Sequence, residues 1–198
     1  MRAIILAAGV GSRLFGDDRK QPPKSLIEFN GKTLLARHIE LLREFGIDGL
    51  TLVVGYRQDL VSTEAMSCAS GDYIEIIENP MYRGGSMISL WHARATLRSG
   101  DDTLFMDADT LYDPALLKRL IDSPVTSAFS YDEKLDEGED PVRICLRNGE
   151  IADFGKQIVG QFDAIGEWPG FSKFSPETSG KLADSVERHV EAGHLMSP

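Results

Sequence analysis

The chain opens with an apolar run, Ala3 to Ala8, that passes directly into the glycine-rich segment L-A-A-G-V-G-S-R-L at residues 6–14. A buried strand ending in such a loop confines the fold to a few choices, because its uniform apolar character needs cover on both faces, as in a parallel sheet. The run is too short for the core of an export signal, and only Arg2 precedes it as a charge, so it is read as a strand over residues 2–7 and not as a leader. Glycines in the loop let the backbone come close to a ligand and aim N–H groups at phosphate oxygens. Two familiar phosphate loops are excluded. A dinucleotide fingerprint needs glycine or alanine where Leu14 stands, and a P-loop needs a closing G-K-[ST] that is missing.

The rest of the chain alternates apolar runs with helical patterns, which predicts an α/β domain of Rossmann-like design: an open, mostly parallel sheet with helices on both faces. A helix begins at Thr33 and carries Leu34, Leu35, His38, Ile39, Leu41 and Leu42 at three-and-four spacing, with Gly46 as its stop. Strands are expected over Leu50–Val54 and Tyr73–Ile77, each followed by a turn. A helix over Ser86–Arg98, capped by Ser86, leads to a strand over Thr103–Met106 and then to Asp107-Ala108-Asp109. A short helix follows Pro114, with a strand around Thr126–Tyr131. The period then changes: Val142–Leu146 and Ile151–Phe154 flank Asn148-Gly149, the signal of a small antiparallel hairpin insertion. One more strand over Gly166–Phe174 and a closing helix over Pro176–Ala192 complete the pattern. At 198 residues, one domain is expected.

Charge and composition remove several functions. The net charge is −10, which argues against nucleic acid as a partner, since phosphate backbones need clustered Lys and Arg. Residues 1–40 nevertheless hold seven basic side chains against four acidic ones, so that segment is +3 and the remaining 158 residues are −13. A local positive field within an acidic protein suits a small polyphosphate. No apolar run approaches the about eighteen residues of a membrane span. Cys68 and Cys145 are the only cysteines and have no metal or disulfide spacing, so the cytoplasm is the expected compartment.

Two constellations carry chemistry. Arg13 lies inside the glycine loop and Lys24 follows two prolines in P-P-K-S-L at residues 22–26, so two cations face one anion cradle. Substitution at a nucleotide's α-phosphorus gains mainly from positioning and charge neutralisation, a task for which Arg13 and Lys24 are suited. Asp107 and Asp109 stand at the C-terminal end of a strand, the edge where open parallel sheets bind ligands, and their carboxylates suit magnesium (Mg2+) shared with substrate phosphates. His38, His92, His189 and His194 lie on or near helices without ligand spacing and are read as packing or surface residues. Trp91 reads as core, whereas Trp168 has the chemistry to stack on a base or cage a quaternary ammonium.

The segments L-A-A-G-V-G-S-R-L, P-P-K-S-L, V-V-G-Y at 53–56 and D-A-D at 107–109 resemble the nucleotidyltransferases that make activated sugars and alcohols, and within them the phosphocholine, inositol-phosphate and aminoethylphosphonate cytidylyltransferase branch. The resemblance implies that Leu6, Ala7, Ala8, Gly9, Gly11 and Ser12 line the base and sugar of a nucleotide. It implies that Gly55 and Tyr56 border the base pocket, with Gly85 and Ser86 beside it. Arg13 and Lys24 would hold phosphates; Asp109, helped by Asp107, would hold the metal. The stretch at 166–175 resembles phosphonate-type members, which places Glu167 and Trp168, together with Lys156, toward the acceptor. Departures are the Gly84-Gly85-Ser86 run, where phosphocholine-like members often carry paired asparagines, and the second metal carboxylate of the family, which either lies beyond Pro198 or is replaced by another acid. The implied reaction transfers CMP from CTP to a small phosphorylated or phosphonate alcohol and releases pyrophosphate. A sugar-1-phosphate transferase using UTP or dTTP, a non-catalytic nucleotide-binding subunit, and a homodimer stay open.

Overall fold

A computed structural model describes residues 1–11, 21–134 and 141–193. The strands are β1 (Arg2–Ala7), β2 (Glu28–Phe29), β3 (Lys32–Thr33), β4 (Gly49–Val54), β5 (Ile74–Glu78), β6 (Thr103–Asp107), β7 (Ala128–Phe129), β8 (Arg143–Arg147), β9 (Glu150–Gly155), β10 (Ala164–Glu167) and β11 (Phe171–Phe174). The α-helices are α1 (Leu34–Glu44), α2 (Gln58–Cys68), α3 (Ser86–His92), α4 (Arg94–Leu97), α5 (Pro114–Asp122) and α6 (Pro176–Glu191). The main sheet runs β5-β4-β1-β6-β11-β7. Its first four strands are parallel, and β11 and β7 add antiparallel pairings at one side.

Alternation along each strand sorts the core into two layers. Ala3, Ile5, Leu50, Leu52, Leu104, Met106 and Phe171 join Leu35, Ile39 and Leu42 of α1, Val61 of α2 and Leu117 of α5 on one face. Ile4, Val53, Phe105 and Phe174 meet Ala93, Leu97 of α4 and Ala183 of α6 on the other. Helices therefore cover both faces, as the apolar strands require. Thr33 caps α1, its hydroxyl accepting from the Ala36 N–H at 3.0 Å. Ser175 caps α6 by accepting from Thr178 at 3.2 Å, with Pro176 at the first helical position.

The structure departs from the sequence expectations in four places. The turn expected after Val54 continues into α2, of which Val61 and Ala65 are buried; its scattered apolar residues give little periodicity, so packing against α1 sustains it. Ser86 is the first residue of α3 rather than its cap, Gly85 occupies the cap position, and the helix breaks at Ala93. Gly166–Phe174 is two strands, not one. β10 joins the β8–β9 hairpin in a three-stranded sheet and β11 returns to the main sheet, with Trp168-Pro169-Gly170 turning between them. Finally, Asn30-Gly31 forms a second tight hairpin turn between β2 and β3, with φ values of 49° and 73°, like Asn148-Gly149 at 54° and 79°.

The strand ends are packed together closely. A β-carbon on Gly55 would stand 2.5 Å from Tyr82 Cβ and 3.0 Å from Ala8 Cβ, so the segments after β1, β4 and β5 meet at this glycine. Gly55→Ala is expected to destabilise the protein by about 1–3 kcal/mol, the range for overpacking, read as a lower denaturation midpoint in urea with an unchanged m-value.

Candidate functional site

Because β1, β4, β5 and β6 are parallel, their C-terminal ends share one edge of the sheet. The chain leaves β1 toward β4 and β5, then crosses back to β6 on the other side of β1. Connections therefore diverge between β1 and β6, which opens a crevice there. The segment after β1, carrying Ala8, Gly9 and Gly11, forms one wall; the Asp107–Asp109 turn forms the other.

Lys24 joins the two walls. It opens a 3-10 turn, Lys24–Leu26, behind Pro23, and buried Ser25 anchors that turn against the body. The lysine stem lies along the backbone of Gly11, where a β-carbon would come within 2.9 Å of Lys24 Cγ and 3.1 Å of Cε. Its ammonium then donates to Asp109 Oδ2 at 3.1 Å. The structure thus brings together Gly11, Lys24 and Asp109, three residues spread over nearly a hundred positions of sequence. Ser12 and Arg13 lie outside the described residues.

The remaining sequence candidates fall into three groups. Leu6 and Ala7 end β1, and Ala8 is buried beside Gly55. Tyr56 is also buried; its backbone N–H donates to the Ala8 carbonyl and its hydroxyl to the Gln21 carbonyl, both at 3.1 Å. Tyr56 thus ties Ala8 and Gln21 to the segment after β4. Gly85 and exposed Ser86 start α3, and their approach is set by buried Asn79, which donates to Ser89 Oγ at 2.9 Å and accepts from the Met81 N–H at 2.9 Å. Trp168 stacks on Phe105 at 5.9 Å and gives its indole N–H to the Phe171 carbonyl and Ser172 Oγ at 3.0 and 3.1 Å. Its polar edge is therefore engaged within the protein. Glu167 pairs through its backbone with Asp132, and Lys156 follows β9 in the small sheet.

Asp107 is the electrostatic focus. Burial pushes its carboxyl up from 3.8 to about 7, the Asp109 charge adds to the rise, and Lys24 opposes it. A residue passed over in the sequence, His38 of α1, is buried beneath this turn: Nε2 lies 3.3 Å from the Ala108 carbonyl oxygen and Nδ1 lies 3.1 Å from the Tyr112 hydroxyl. Burial lowers its pKa to about 4 against smaller opposing contributions from the Ala108 hydrogen bond and Asp109. The imidazole is neutral at ordinary pH. Its place in an apolar helical stripe showed that it faces the core but not what it would meet there.

This crevice, with a backbone cradle, a lysine and two carboxylates, has the parts for holding a polyphosphate. The profile of the MobA-like NTP transferase domain matches residues 3–149. The chain belongs to that family. Among relatives, it is 30% identical over 169 residues to CMP-5'-(3-aminopropyl)phosphonate synthase of Streptomyces rubellomurinus, covering 84% of this chain and 26% of that protein. It is 26% identical over 189 residues to the CTP:phosphoglutamine cytidylyltransferase of Campylobacter jejuni, covering 88% of this chain and 73% of that one. The chain thus spans about a quarter of the first relative and about three quarters of the second. CTP:phosphocholine cytidylyltransferase of Streptococcus pneumoniae shares the fold with a TM-score of 0.70 and 22% identity, over 97% of this chain and 78% of that one. Among the described residues, no helix is long and apolar enough to cross a membrane.

In this NTP transferase domain the folded pKa of Asp107 lies above its value in an unfolded chain. The native state consequently keeps that proton to higher pH, and the stability it contributes is full below about pH 4 and lost as pH rises through about 7. Asp107→Asn is expected to stabilise the ligand-free protein by ~1–3 kcal/mol at pH 8 and by less at pH 5, as compared by chemical denaturation at the two pH values.

Proposed function

We propose that this chain is a nucleotidyltransferase that transfers CMP from CTP to a small phosphorylated or phosphonate alcohol, such as phosphocholine or 2-aminoethylphosphonate. The observation that carries the reading is the reach of Lys24 across the crevice, with its stem on Gly11 and its ammonium on Asp109. Membership of the MobA-like NTP transferase family supports it, as do relatives whose names specify CMP or CTP chemistry on a phosphonate and on phosphoglutamine.

In this reading an anionic oxygen of the acceptor attacks the α-phosphorus. A new P–O bond forms, and the bond from that phosphorus to the bridging oxygen of pyrophosphate breaks opposite to it. Pyrophosphate leaves with the electron pair. The acceptor is already an anion, so no side chain needs to act as nucleophile. Backbone N–H groups after β1 bind phosphate oxygens, while Lys24, with Arg13, neutralises the charge that moves onto pyrophosphate.

The acidic turn fits magnesium. The Lys24 ammonium already stands as a cation on Asp109, and Asp107 is a second carboxylate on the same turn, raised to about 7 chiefly by burial. No group of three or more potential ligands gathers among the described residues, so a cation here completes its shell with substrate phosphate and water. When bound, magnesium supplies further neutralisation of the triphosphate oxygens.

The decisive assay measures pyrophosphate release from CTP, UTP, dTTP and GTP against phosphocholine, aminoethylphosphonate, inositol phosphate and hexose phosphates. The expected outcome is turnover with CTP. Lys24→Ala and Asp109→Ala should each lower kcat/KM by about a hundredfold or more, the scale of losing one preorganised charge-stabilising group. Equal turnover in both variants would exclude the assigned roles.

A further inference from the structure

His38 is only 1% exposed, yet both of its ring nitrogens have partners. A carbonyl oxygen can only accept, so the contact with Ala108 places the hydrogen on Nε2. Nδ1 then accepts from the Tyr112 hydroxyl. The Tyr112 ring stacks on the imidazole, with centroids 5.4 Å apart and planes 9° from parallel, and it also meets the Phe171 ring at 4.5 Å, 65° to it. The Ala108 carbonyl sets the tautomer, and Tyr112 holds the ring orientation through its stacked ring and its hydroxyl.

What the histidine holds is the carbonyl of the peptide that joins Ala108 to Asp109. The opposite side of the same turn is held by the 169–170 segment: the Asp107 N–H donates to the Gly170 carbonyl at 2.9 Å and the Thr110 hydroxyl to the Pro169 carbonyl at 3.3 Å. Gly170 approaches so closely that a β-carbon would lie 3.0 Å from Asp107 Cβ and 3.2 Å from its Oδ2. The acidic turn is clamped between α1 and the lead-in to β11, and His38 is the α1 half of the clamp.

From this geometry we infer that His38 is a positioning residue for phosphoryl transfer, whose Nε2–H, on a ring held in place by Tyr112, orients the Ala108–Asp109 peptide and thereby places the Asp109 carboxylate against Lys24. The inference rests on the nucleotidyltransferase reading above. His38 touches neither Lys24 nor substrate; it acts through the turn. A histidine that only filled space would lower stability when replaced and leave turnover per folded molecule unchanged.

Three variants separate the cases: His38→Leu removes the donor at similar volume, His38→Gln keeps an amide donor, and Tyr112→Phe removes the hydroxyl while keeping the ring. Each is assayed for kcat and KM for CTP at 25 °C, with its Tm measured in parallel. The expected result is a tenfold or greater fall in kcat for His38→Leu, with KM for CTP changed less than threefold. His38→Gln should recover most of that loss, and Tyr112→Phe should fall three- to tenfold. Wild-type kcat in His38→Leu, or His38→Gln no better than His38→Leu, overturns the inference. If His38→Leu does not fold, Tyr112→Phe decides: a fall in kcat supports the assignment and wild-type kcat overturns it. Wild-type protein with no pyrophosphate release from any nucleotide overturns the underlying reading together with this one, whereas an active wild type with unaffected variants overturns this one alone.

Discussion

β1 is hydrogen-bonded on each side by a parallel strand, β4 on one flank and β6 on the other. Parallel neighbours need crossover connections; the chain leaves β1 toward β4 and returns from β5 to β6 on the other flank of β1, so the connections diverge and open a gap between the ends of β1 and β6. Every part of the site depends on that gap. The residues that follow β1 are free to present backbone, those that follow β6 are free to present carboxylates, and Lys24 has room to pass between them. The apolar character of Ala3–Ala7 and of Leu50, Leu52, Val53 and Val54 enforces the arrangement, since such strands require helices on both faces.

The bridge that Lys24 makes is weak by design of its surroundings. Its side chain is 24% exposed and that of Asp109 is 42% exposed, and an ion pair so open to water contributes ~0–1 kcal/mol. Exchanging the carboxylate for a triphosphate oxygen therefore costs little. The stem behaves otherwise, being packed on Gly11. A lysine with a fixed stem and a loosely held head can turn toward arriving phosphate without giving up its place in the fold.

Much of this was legible in the sequence, and the failures are instructive. The limits of β1 agree with the pattern at residues 2–7, and Thr33 caps α1 where the periodicity begins, because both signals are local. Asn148-Gly149 announced a hairpin, and Asn30-Gly31 carried the same signal between a shorter pair of strands. The division of Gly166–Phe174 was hidden because its cause is tertiary: Trp168 turns inward to stack on Phe105 and bond Ser172, which aims β10 and β11 at different sheets. In the site, Lys24 and the Asp107–Asp109 turn stood out because each combines a charged group with a stiff or strand-terminal setting. His38 did not, since its partner is a backbone carbonyl 70 residues away. No periodicity encodes such a contact.

The double clamp on the acidic turn follows from its charge. Raising Asp107 from 3.8 to about 7 corresponds to at most ~4 kcal/mol of disfavoured ionisation, and residual solvent access lowers that figure. An unrestrained turn would relax by letting the two carboxylates swing apart into water. Four hydrogen bonds oppose this, from His38 to Ala108, from Tyr112 to His38, from Asp107 to Gly170 and from Thr110 to Pro169. At ~0.5–1.5 kcal/mol each, they are of the same scale as this cost, which comes first from burial and only second from the Asp109 charge. Neutral groups make all four of these bonds, so they hold the turn in place without adding charge beside its carboxylates.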